Sequence, residues 1–201
     1  MRCIRGASEA EVLATFLRGE LESARWGERL RTLLHEDGVD VAVLATPNVE
    51  DEAENAYRAA LLERHRAWLS RAGLFERFPR DVEWARVALT PEEVLAMRYI
   101  NWDWWLHLSG GTRRPLEAAR RIHAGEVPGA DAESQEPLAA RLKAGDPPPE
   151  LIAVAEPGAS QLVVLEGHMR LTAYALFPEY LPDELEIFVG TSDAMSEWTE
   201  F

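Results

Sequence analysis

The chain has 201 residues, of which 47% are hydrophobic and 28% charged, enough apolar material for a globular protein of one or two domains with a sizeable core. Its 21 Lys and Arg face 35 Asp and Glu, a formal charge of −14, so a broad basic footprint for duplex nucleic acid or anionic lipid is excluded and neither partner is expected. Cys3 is the single cysteine, which rules out an internal disulfide and a cysteine-based zinc site.

Residues 1–6 lack the apolar stretch of a secretory signal, and no later run approaches the roughly 18 apolar residues of a membrane span. A soluble cytoplasmic protein is the expectation.

Ser8 followed by Glu11 forms a capping-box pattern, and Val12, Leu13, Phe16, Leu17 and Leu21 then recur at helical spacing. Leu30, Leu33 and Leu34 continue that period beyond Gly27, so one or two helices should end near Asp37. Residues 39–45 form a short apolar run, strand or buried loop. Residues 51–71 turn helical again, with Gly73 placed as a C-cap. Thr90-Pro91-Glu92-Glu93 is the clearest helix start in the chain, because Thr caps, Pro suits the first turn and Glu93 completes the box. One helix is expected from there to about Leu108. It carries Tyr99, Trp102, Trp104 and Trp105, which read either as a core seam or as the wall of a ligand pocket.

Ser109-Gly110-Gly111 stops that helix and marks the expected boundary between a helical region, 1–110, and a mixed unit, 111–201. Helices are expected near residues 115–122 and 138–144, and then a stiff run at residues 146–149. Two apolar runs, 151–155 and 162–165, flank Pro157-Gly158 and should pair as antiparallel strands. A helix from His168 to about Phe177 and a last strand at 185–189 complete an α+β fold. The final residues should dock Trp198 and Phe201 on the body, with an exposed partner-binding tail as the alternative.

Chemistry concentrates where a buried strand meets a helix at Glu166-Gly167-His168-Met169-Arg170. A helix that starts without a spacer aims its free N–H groups and the positive end of its dipole at one point, which favours an anion. Gly167 would let a ligand approach the main chain, Arg170 could fork onto a phosphate, and His168 could donate a further hydrogen bond. Glu166 beside a phosphate suits a proton acceptor or a divalent cation between the two, as in phosphoryl transfer. On the alternative reading Glu166 and Arg170 are an internal ion pair with no ligand. Thr112 and Arg113 start a helix and could form the opposite wall of a phosphate pocket, or be a cap and a surface arginine. The other histidines make no His-x-x-x-His pair, so no metal ligands are assigned.

The run from about Pro115 to Val189, with its Glu166-Gly167-x-x-Arg170 element, resembles the ParB/sulfiredoxin-like superfamily. The resemblance implies a small mixed α/β unit that binds nucleotide phosphates at this turn, ATP or CTP with Mg2+. Sulfiredoxins carry a reactive cysteine where His168 stands, and partition proteins carry an Arg where Met169 stands, so the acidic-Gly-His pattern is closest to the free-serine-kinase branch. By that likeness Glu166 is the catalytic base, and Gly167, His168, Met169 and Arg170 form the phosphate-binding turn. The function implied is a nucleotide-binding protein that hydrolyses or transfers phosphate, with a small hydroxylated acceptor as partner. A nucleotide-responsive interaction module without catalysis is the alternative.

Overall fold

The computed structural model describes residues 1–146 and 149–201. The fold is α+β, as expected: a mixed five-stranded sheet with helices on both faces. The strands are β1 (Arg2–Ala7), β2 (Glu83–Leu89), β3 (Ile152–Ala155), β4 (Val163–Glu166) and β5 (Leu185–Thr191). They lie in the order β1-β2-β5-β3-β4, with β3 and β5 parallel and the other neighbours antiparallel.

Alternation along the strands decides which helical layer each residue meets. Ile152, Val154, Val163, Leu165 and Phe188 face α1 (Glu9–Glu22), α2 (Gly27–Asp37), α3 (Ala42–Ala45) and α4 (Glu52–Arg66). Val87, Ala153, Val164, Ile187 and Val189 face the other layer. That layer contains α5 (Pro91–Leu95), α6 (Asp103–Leu108), α7 (Pro115–His123), α8 (Glu136–Lys143) and α9 (His168–Leu176). Burial on both faces explains why β3 and β4 read as continuous apolar runs. Each large side chain so buried contributes roughly 1.5–3 kcal/mol.

Both capping boxes form: Ser8 with Glu11 opens α1, and Thr90 with Glu93 opens α5. The β3–β4 hairpin, α9 and the final strand also stand where the pattern puts them, and Trp198 is buried in the core beneath the α1–α4 layer.

Four expectations are corrected. Residues 1–110 are not wholly helical, because β1 and β2 lie there and β2 pairs with β5 along its length; strands from both sides of residue 110 share one sheet. Residues 39–45 contain the short α3 rather than a strand. The helix after Asp51 ends at Arg66 with Ala67 in the left-handed cap position, so Gly73 is not its cap and instead opens a 3-10 turn. The single helix expected over 91–108 is two, α5 and α6. Between them Arg98 bridges the outer edge of β4: its N–H bonds Leu162 O and its carbonyl accepts from Val164 N, both at 2.8 Å. The expected stiffness of residues 146–149 falls in part on Pro147 and Pro148, outside the described residues.

Candidate functional site

β4 delivers Glu166 to the edge of the core, and Gly167 makes the turn with φ +99°, a left-handed conformation that other residues adopt only with strain. α9 begins at the next residue. The main-chain face of Gly167 is closed, however: a Cβ there would stand 2.4 Å from Leu151 Cδ2 and 3.2 Å from Arg170 Nε. The glycine admits Leu151, not a ligand, which corrects the expectation of an open cradle at this turn.

Arg170 turns back over the glycine. Its Nη2 donates to Glu166 Oε1 and its Nη1 to the main-chain carbonyl of Glu150. α1 crosses directly above, at Gly19, where a Cβ would be 2.8 Å from Arg170 Nη2 and 3.0 Å from Glu166 Oε1. Burial pushes the Glu166 carboxyl above its usual range and the Arg170 charge opposes that rise. Behind the pair, buried Glu20 accepts from His65 Nε2 and Arg66 Nη1, both at 2.9 Å, and the charges of Glu20 and Arg66 also reach Glu166.

His168 lies flat against Trp105, ring centroids 4.8 Å apart and planes 17° apart, and Trp105 in turn stacks on Tyr99 at 4.9 Å. The His168 Nε2 is buried with no partner. Burial, followed by the charges of Arg66 and Arg170, holds the imidazole down to about 3, so it is neutral near pH 7. Its carbonyl accepts from the Thr172 hydroxyl at 2.9 Å, and that hydroxyl is 2.7 Å from the Tyr99 hydroxyl. The first turn of α9 is thereby tied to α6 and its approach. Met169 is 51% exposed and points away from this cluster's core.

The aromatic residues 99–105 form a core seam only in part, and none of them lines either cavity described below. Tyr99 is buried and Trp105 packs between it and His168, whereas Trp102 and Trp104 are exposed.

Thr112 and Arg113 do not line the groove that Arg170 faces. The Thr112 hydroxyl donates to Ser109 O at 2.8 Å. Arg113 has φ +61° and donates from Nε to Tyr99 O at 2.7 Å, from Nη1 to Phe201 O at 2.7 Å and from Nη2 to Glu200 O at 3.4 Å. A guanidinium so committed is a brace for Tyr99 and the last residues, and the proposed opposite wall is corrected accordingly.

The cationic surface lies on the other side of Arg170. A cavity of about 210 Å³ is lined by Arg18, Arg141 and Arg170, with Thr15, Glu22 and Glu150 among its other walls. Arg18 and Arg141 are 38% and 57% exposed, so its mouth reaches solvent. Past Arg18 and Glu150 it adjoins a second groove of about 470 Å³ between α1 and residues 45–49, floored by Phe188 and Arg86. The Arg86 guanidinium lies over the Phe188 ring at 4.9 Å. Arg58, fully buried, fixes that wall by donating to Val43 O at 3.0 Å and Asn48 O at 2.9 Å.

None of Arg18, Gly19, Arg86, Arg141 or Glu150 stood out in the sequence. They come from α1, β2, α8 and the segment before β3, and no spacing links them. Among the described residues no group of three or more His, Cys, Asp or Glu could hold a metal ion, and no helix is long and apolar enough to cross a membrane. No protein-family model matches the chain, and no curated protein or solved structure does.

Proposed function

We propose that the protein binds the phosphates of a nucleotide, ATP or CTP, in the groove between α1 and the β4–α9 turn. The reading uses the Glu166-Gly167-x-x-Arg170 element in the manner of the ParB/sulfiredoxin-like superfamily, with one change: the ligand meets Arg170 from the α1 side rather than the main chain of Gly167. The observation that carries it is the convergence of Arg18, Arg141 and Arg170, from three separate elements, on one solvent-reaching cavity of about 210 Å³. Guanidinium forks match phosphate oxygens in charge and geometry. The adjoining groove has room and an apolar floor for the remainder of a nucleotide.

The donor set suits phosphate better than a free cation. Glu150 and Glu166 are both engaged by arginines, so Mg2+ would enter with the phosphates it neutralises. Glu166 lines neither chamber and is engaged by Arg170 beneath α1, so it becomes the candidate proton acceptor, for phosphate transfer to a water or a small hydroxylated acceptor, once a phosphate draws Arg170 away.

A second reading is favoured by the closed turn at Gly167 and the internal Glu166–Arg170 pair: a structural element with no ligand. A thermal-shift screen of ATP, CTP, GTP and their diphosphates, with and without Mg2+, separates the two. Binding should raise Tm by roughly 5–10 °C at about a hundredfold excess over Kd, and no shift with any of them leaves the structural reading. Turnover that disappears in Glu166→Gln while binding persists marks an enzyme; binding without turnover marks a nucleotide-responsive module.

A further inference from the structure

Two guanidinium groups of the groove, those of Arg18 and Arg86, share one carboxylate. Glu150 Oε1 accepts from Arg86 Nη1 at 2.7 Å, its Oε2 accepts from Arg18 Nη2, and its main-chain carbonyl accepts from Arg170 Nη1. Glu150 is also, with Thr15 and Arg18, common to the walls of both chambers, so its carboxylate stands at their junction. The side chain is 21% exposed and has solvent to turn into.

Resting on the phosphate-binding reading, the geometry points to Glu150 as the residue that sets the threshold for ligand binding: its carboxylate stands where a phosphoryl group would bridge Arg18 and Arg86, and a ligand must displace it. A single phosphate that does so exchanges one anion for another on the same two arginines and gains little. A chain of two or three phosphates places one group between Arg18 and Arg86 while a second meets Arg170 and Arg141, a contact Glu150's carboxylate does not make. Displacing Glu150 costs every ligand the same, so the groove holds extended polyphosphates, which have contacts to spare, and leaves monophosphates and carboxylates unbound at low concentration. Arg86 keeps its second partner, Glu186, at 2.9 Å throughout, which holds that guanidinium in place during the exchange.

Calorimetric titration of the full chain with sodium tripolyphosphate and with orthophosphate tests this, on the wild type, Glu150→Gln and Glu22→Gln. Glu22 lines the same cavity and makes no ion pair among the described residues, so its variant reports the loss of one negative charge alone. In Glu150→Gln, with the competing carboxylate gone, orthophosphate and tripolyphosphate should each bind about tenfold more tightly, their ratio unchanged. In Glu22→Gln both ligands should gain equally, by less than about threefold. A gain in Glu150→Gln no larger than that in Glu22→Gln overturns the role of Glu150 and leaves phosphate binding standing. Tripolyphosphate binding to neither the wild type nor Glu150→Gln removes both. Should Glu150→Gln fail to fold, Glu150→Asp keeps the charge but is one methylene shorter and spans the two arginines less well, and it should tighten both ligands in the same direction; if it retains the wild-type affinities, the inference fails.

Discussion

The Arg170 guanidinium reaches back over Gly167 to the carboxylate of Glu166, four residues earlier, and the bare Cα of Gly19 on α1 closes over the pair. Both side chains are mostly buried, so water does little to solvate either charge and each compensates the other. Removing one partner leaves an uncompensated ion under α1. Arg170→Ala should lose roughly 2–4 kcal/mol in urea unfolding, and adding Glu166→Gln should restore more than half of it. A loss under about 0.5 kcal/mol for the single variant would show that water, not Arg170, satisfies the carboxylate.

Gly167 is confined twice, by its positive φ and by Leu151. Gly167→Ala combines a left-handed backbone, about 1–2 kcal/mol, with overpacking of about 1–3 kcal/mol, so a total loss of roughly 2–5 kcal/mol is expected. A variant as stable as the wild type would mean that the turn relaxes freely.

At Gly19 two effects oppose one another. Alanine favours the helix by about 1 kcal/mol, yet its Cβ would press on the ion pair at 2.8 and 3.0 Å. Weakened charge-assisted hydrogen bonds, each about 1.5–3 kcal/mol, should win. Gly19→Ala is expected to lower stability by about 1 kcal/mol; stabilisation by the full helix gain would place the pair outside α1's reach.

His168 makes stability depend on pH. Its value in the fold, about 3, lies below the ordinary 6.5, so the unfolded chain binds the extra proton between these limits. The contribution is therefore complete above pH 6.5 and is lost as pH falls toward 3. Between pH 6.5 and 4.5 the wild type should lose roughly 2–3 kcal/mol more than His168→Phe. Parallel stability-versus-pH curves for the two proteins would refute a buried neutral imidazole.

Legibility followed how local each determinant is. The boxes at Ser8/Glu11 and Thr90/Glu93 are made within four residues, and the runs of β3 and β4 are apolar because both sheet faces are covered. β1 was missed because Arg2-Cys3-Ile4-Arg5-Gly6 is exposed along its length and carries no core-facing signal. β2 gives no clean alternation, because Glu83 and Ala85 on one face and Arg86 on the other are polar or small. The helix expected across 91–108 broke where Arg98 was taken up by β4, and Asn101 by the carbonyl of Glu200, partners far away in the chain. The same limit applies to the site. The Glu166–Arg170 turn is contiguous and legible, whereas Arg18 and Gly19 reach it only through the crossing of α1 and Glu150 only through the segment before β3.

The position of β5 has a consequence for any attempt to divide the chain. It is hydrogen-bonded to β2 on one side and β3 on the other, so a fragment beginning at residue 111 would expose a seven-residue, largely apolar border with nothing to zip against. Such a border invites another chain. The piece that carries the whole Glu166–Arg170 motif should therefore clump when expressed by itself, and become soluble again only when residues 1–110 are supplied in trans.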